Sequence, residues 1–233
     1  MIAPLTRSIP RLLIPKGPYA VACEVPDGAR VVDIMYAILP AGLSAVTDAA
    51  GVASKLSRLS VAQIMVLALI WREGKVTSTR LSSLTYIAAD ELRARYLEPF
   101  LRGGLVQQEG RSWAVGSWGE ASPRHFIAVE AKLKDWRAAV RQARDNKRRA
   151  DYSYVALPKL GSGQARQHLL VTARDAGVGI IELQPDGDAE VVLRARRTPA
   201  AACAQKWQLA VRLLADPCQA NGRWALSDQL VGA

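Results

Sequence analysis

The sequence predicts an α/β fold in which a mixed sheet is flanked by helices and interrupted by a helical insertion. Three features carry that expectation. Near the N-terminus, two apolar segments, Tyr19–Val25 and Val31–Leu39, are separated by the turn residues Pro26-Asp27-Gly28-Ala29. Further on, His125–Lys134 reads as a strand, the arginine-rich stretch to Ala150 has helical spacing, and Tyr152–Leu157 is again a strand. That order has the form of a parallel βαβ crossover. Between the two regions lies Ser54–Ser117, whose apolar residues recur at helical intervals.

The first two strands form a hairpin. The second is an almost continuous apolar run broken by Asp33, and Glu24 stands near the end of the first. An ionised carboxylate inside such a run is costly unless it is paired, hydrogen-bonded or bound to a metal, so Asp33 calls for a role. In the later strand, side chains alternate. Glu130 and Lys132 are expected on one face, with Val129, Ala131 and Leu133 on the other. A carboxylate beside an ammonium suits phosphodiester hydrolysis, since one can ligate Mg²⁺ while the other steadies charge or positions water.

An Asp on the second strand of a hairpin, a strand carrying Glu-x-Lys, a long helix and a further strand together resemble the PD-(D/E)XK nuclease superfamily. The resemblance covers Tyr19–Leu39 and the region from His125 to about Arg194. It implies a restriction-endonuclease-like core in which Asp33 and Glu130 bind Mg²⁺ or Mn²⁺ and Lys132 is the catalytic lysine. Gln142 matches the glutamine that some branches carry on the following helix, and Glu24 matches an accessory acid. Asp33 follows Val32 where the family motif has proline, while the literal Pro26-Asp27 pair is expected in the turn.

Within the insertion, Ser60 is positioned to cap a helix over Val61–Arg72, with Ile64, Leu67, Ala68 and Trp71 on its apolar side. Gly74 ends that helix. Thr77 or Ser78 starts a second helix through Leu84, and Ala88-Ala89-Asp90-Glu91 opens a third that runs through Leu101 to Gly103-Gly104. Leu105–Gln108, the turn Glu109-Gly110-Arg111 and Ser112–Val115 then make a hairpin. This pattern resembles winged helix-turn-helix domains, many of which bind DNA while others dock proteins. Arg80, Arg93, Arg95, Arg102 and Arg111 are its expected phosphate contacts, diluted by Asp90, Glu91, Glu98 and Glu109. The predicted organisation is a first core segment 1–53, an inserted winged-helix domain 54–118, and a second core segment 119–233.

Charge points to a polyanionic partner. Thirty-one Lys and Arg against twenty-one Asp and Glu leave a net charge of +10. From Glu130 to Ala150 eight basic residues face three acidic ones; Arg137, Arg141, Arg144 and Arg148 fall on the exposed sides of a helix whose apolar stripe is Trp136, Ala139, Val140 and Ala143. These four arginines are the expected guides for a phosphate backbone. After the Gly161-Ser162-Gly163 linker, Gln164–Ala176 reads as a helix, Val178–Leu183 and Ala189–Leu193 as strands, and Ala200–Ala215 as a closing helix with Trp207, Val211 and Leu214 inward. The last residues are expected to be loose.

Three cysteines, Cys23, Cys203 and Cys218, with no CxxC pairing support neither a disulfide framework nor a zinc cluster, in keeping with a reducing cytoplasm. Prolines at positions 4, 10, 15 and 18 break the N-terminus, and no secretory signal or membrane-spanning run is evident. His125 is expected to pack or lie at the surface. The function expected is DNA binding with metal-dependent endonuclease activity, with a homodimer suited to cutting both strands. The alternative is a non-catalytic DNA-binding regulator or scaffold that keeps a nuclease-like core.

Overall fold

Tyr154 and Ala156 turn to one side of a sheet, Val155 and Leu157 to the other, and all four are buried. The same alternation in neighbouring strands builds a sheet covered on both faces. The computed structural model describes residues 2–14, 19–27, 30–38, 55–56, 58–121, 123, 125–184, 188–199, 206, 209 and 224–226. The chain divides into two compact units: Met1–Ala41, Pro123–Cys203 and Asn221–Ala233 form one, Gly42–Ser122 and Ala204–Ala220 the other.

The first unit opens with helix α1 (Ile2–Leu13) and the hairpin β1 (Tyr19–Asp27) and β2 (Arg30–Ile38). The second unit follows with α2 (Val61–Glu73), β3 (Val76–Thr77), α3 (Ser78–Thr85) and α4 (Ala89–Leu92). A π-helical turn, Arg93–Leu97, leads into α5 (Glu98–Arg102), the hairpin β4 (Val106–Glu109) and β5 (Ser112–Val115), and a 3-10 turn at Ser117–Ala121. The chain re-enters the first unit through β6 (His125–Ala131), α6 (Trp136–Asn146), β7 (Tyr152–Pro158), α7 (Gln164–Ala176), β8 (Gly179–Leu183) and β9 (Ala189–Leu193), and Trp224–Leu226 forms β10.

The first unit is an α/β fold around a mixed seven-stranded sheet in the order β10-β1-β2-β6-β7-β8-β9. Strands β6, β7 and β8 run parallel, and the other neighbours pair antiparallel. One face packs Ile34, Tyr36, Ile127, Val129 and Ile181 against Ile9, with Leu13 and Ile14 beside it. The opposite face seats Ala139, Val140 and Ala143 of α6 and Leu169 and Ala173 of α7 on Val155, Leu157 and Ile180. Gly179 is dictated by packing, because a Cβ there would collide with the Tyr154 ring.

Several expectations are corrected. The prolines do not break the N-terminus: α1 forms with Pro10 inside it, and burial of Ile9 outweighs the hydrogen bond that proline cannot donate. Pro26 and Asp27 are not turn residues, since they pair with Val31 and Arg30 in the hairpin ladder. Leu133 does not share a strand face with Val129 and Ala131; β6 ends at Ala131 and Leu133 is 69% exposed. The helix expected to Ala150 stops at Asn146. The chain's end is not loose at Trp224–Leu226, which pairs with Ala20–Ala22. Of the closing helix over 200–215, only 206 and 209 are described, both helical. Trp207, Val211, Leu214, Cys203 and Cys218 lie outside the described residues.

In the second unit, Ser60 and Gln63 cap α2 reciprocally and Thr77 caps α3 through the Arg80 amide. Pro99 explains the π turn, since it has no N–H for the Arg95 carbonyl and its ring crowds that position; the Glu98 amide instead reaches Arg93. The three strands pair antiparallel in the order β3-β5-β4. Trp71 and Trp118 meet edge to face at 4.8 Å, and the Trp118 indole donates to the Leu105 carbonyl.

Candidate active site

Register brings the acids together. Ile34 pairs with Val129 and Met35 with Ala128, so the same antiparallel alignment sets Asp33 level with Glu130 where the ladder ends. There the Asp33 side chain continues the hydrogen bonding: its Oδ2 accepts from the Ala131 amide at 2.8 Å and from Lys132 Nζ at 3.2 Å. Lys132 lies one residue beyond β6, but its amide still donates to the Ala156 carbonyl of β7, which holds its alignment with Glu130. Lys132 Nζ also stands 3.7 Å from Glu130 Oε2. Asp33, Glu130 and Lys132 therefore converge, the ammonium between the two carboxylates.

Glu130 is only 1% exposed and faces α6. Its Oε1 accepts a 2.7 Å hydrogen bond from Asn146 Nδ2, while Oε2 has no hydrogen-bond partner among the described residues. Burial pushes the Glu130 carboxyl up to about 7, and the neighbouring Asp33 charge adds to the rise; the Asn146 amide and the Lys132 ammonium oppose it. Gln142, one turn before Asn146, carries a buried Oε1 that also lacks a hydrogen-bond partner among the described residues. Asn146 is a site residue that the sequence reading did not name. Its only signal was the four-residue spacing from Gln142, which places both on one side of a helix.

The donor set fits a hard divalent cation. Two carboxylates come from different strands, and Glu130 Oε2 is buried and accepts no hydrogen bond among the described residues. Among the described residues no group of three or more His, Cys, Asp and Glu side chains is assembled. Mg²⁺, however, is commonly held by one or two carboxylates together with waters and substrate phosphates.

The remaining expected residues separate into groups. Glu24 lies level with Asp33, between the pairs Cys23–Ile34 and Val25–Val32, with its side chain exposed and a φ of 53°. In the second unit Arg93 pairs with Glu98 at 3.1 Å, Arg95 with Glu91 at 2.6 Å, and Arg80 stands 3.8 Å from Glu73. Arg111 is exposed on the β4–β5 turn. Arg137, Arg141, Arg144 and Arg148 are exposed and have no carboxylate in ion-pairing range among the described residues. Arg148 lies past α6, in the turn that follows. His125 is half-buried, its ring edge-on to Tyr152.

The first unit is thus an α/β protein with a carboxylate–ammonium cluster at the edge of the β2–β6 ladder. Comparison with protein-family models, with curated proteins and with solved structures yields no match. No helix among the described residues is long and apolar enough to cross a membrane.

Proposed function

We propose that this chain is a metal-dependent DNA endonuclease of the PD-(D/E)XK type. The observation that carries the reading is the convergence of Asp33, Glu130 and Lys132 from positions almost a hundred residues apart, with a buried carboxylate oxygen left without a hydrogen. A bound Mg²⁺ or Mn²⁺ would supply Lewis-acid activation of a phosphodiester and of the attacking water. Asp33 and Glu130 would hold it, and Gln142 Oε1 is a further oxygen donor on the adjoining helix. Lys132 Nζ would orient the water or steady the developing negative charge on the phosphate. Asn146 fixes the Glu130 carboxylate through Oε1, so that Oε2 would stay available to a bound ion.

In this reading the second unit is a winged helix-turn-helix whose role is to grip the substrate, with Arg111 exposed on the hairpin turn as its expected phosphate contact. Cutting both strands of a duplex would call for a homodimer. The closed bonding of Asp33, already engaged by an amide and an ammonium, favours a second reading, in which the trio is a structural clasp in a non-catalytic DNA-binding protein.

A Mn²⁺ titration followed by calorimetry separates the two. The nuclease reading predicts one specific site that is lost in Asp33→Asn and Glu130→Gln and kept, or tightened, in Lys132→Ala, where the competing ammonium is gone. Absence of a specific site in the wild-type protein would favour the clasp.

A further inference from the structure

The basic helix turns its arginines away from the carboxylates. Counting 3.6 residues per turn, Arg141 and Arg144 lie within about 40° of Arg137 around α6, whereas Gln142 and Asn146 lie roughly 140–180° away. Since Asn146 faces Glu130, the arginine row looks to the opposite flank. There α6 and α7 border an open groove of about 620 Å³, lined by Trp136, Arg137, Arg141 and Arg144 and across from them by Thr172 and Asp175. The Arg137 guanidinium lies over the Trp136 ring, 4.6 Å from its centroid.

The groove carries three arginines against one carboxylate, Asp175. The three lining arginines have no carboxylate partner among the described residues, whereas Arg80, Arg93 and Arg95 of the other unit each stand beside a glutamate. Three guanidinium groups spread over about 10 Å of helix present a line of phosphate-binding forks. An aromatic–guanidinium pair at one end offers a stacking surface for a base. A groove between two packed helices admits one strand more readily than a duplex, whose width exceeds the usual helix spacing of about 8–10 Å.

We propose that the α6–α7 groove binds a single strand of nucleic acid, with phosphates on Arg137, Arg141 and Arg144 and a base against the Trp136–Arg137 pair, independently of any metal ion. This deepens the nuclease reading, on which it rests for the choice of nucleic acid as the polyanion, by giving the substrate strand a second hold apart from the carboxylates. Asp175 opposes the phosphates and tempers the affinity.

The test is fluorescence anisotropy with a short labelled oligothymidylate in EDTA over a range of salt, using the full chain. Wild type is expected to prefer the single strand over the matching duplex, and polyglutamate at equal charge should displace it poorly. Substituting Arg137, Arg141 and Arg144 together by Ala should weaken binding and reduce the slope of log K against log salt by about two, at roughly 0.7 per phosphate contact. Asp175→Asn, a mild surface change that guards against misfolding artefacts, should tighten binding several-fold. Unchanged affinity in the arginine variant with a native circular dichroism spectrum, equal duplex binding, or efficient displacement by polyglutamate would each overturn the proposal. Strand binding retained by an Asp33→Asn variant, with no cleavage by wild type in Mg²⁺, would instead overturn the nuclease reading while leaving the groove assignment intact.

Discussion

Glu130 is a carboxyl group held almost wholly out of water. Because burial and the Asp33 charge raise its carboxyl to about 7, against an ordinary 4.5, the folded chain retains a proton that the unfolded chain releases. The stability this provides is fully present below pH 4.5 and is lost as pH rises through about 7, with a total on the order of 3 kcal/mol at most. Glu130→Gln keeps an oxygen acceptor for Asn146 but cannot titrate. Urea denaturation in EDTA should therefore show a shallower fall in stability between pH 4.5 and 7 for the variant, and equal slopes would count against the assigned burial. Asn146→Ala strips the one hydrogen bond on Glu130 Oε1 and is expected to cost about 1.5–3 kcal/mol at neutral pH, read from the same denaturation curves. At this scale the sequence was only partly legible. Alternation along β6 placed Glu130 and Lys132 together, but the contact of Lys132 with Asp33 depends on strand register. Asn146 was hidden because a polar residue inside a helix looks ordinary until its carboxylate partner is known.

Elements with local signals were the most readable. Helices α2 and α3 announce themselves by Ser60, Thr77 and helical apolar spacing, and α7, β8 and β9 by glycines and turn residues at their ends. Where pairing or burial comes from distant parts of the chain, reading failed. Helix α1 carries prolines that argue against it and is held by Ile9 against the sheet; β10 exists through its pairing with β1. Gly179 belongs to the same scale, since its need is set by a ring on the neighbouring strand. Gly179→Ala forces both the Tyr154 ring and the Ala195 backbone to shift, and is expected to lower stability by about 1–3 kcal/mol in chemical denaturation. A neutral outcome would mean that the ring and the Ala195 backbone both relax freely.

For the whole molecule, the α/β class and mixed sheet follow from the order of apolar runs, and the charge of +10 from a simple count. What composition could not resolve is which basic residues are paired with a carboxylate: Arg93 and Arg95 are, while Arg137, Arg141 and Arg144 have none among the described residues. Whether the trio at the β2–β6 edge cuts DNA is decided by incubating wild type, Asp33→Asn and Lys132→Ala with labelled linear, branched and single-stranded DNA in Mg²⁺, Mn²⁺ or EDTA while binding is recorded separately. Metal-dependent cleavage by wild type is expected, reduced at least a hundredfold in both variants with DNA binding retained. Tight binding with no cleavage of any substrate by the wild-type protein would contradict it and leave the trio as a structural clasp.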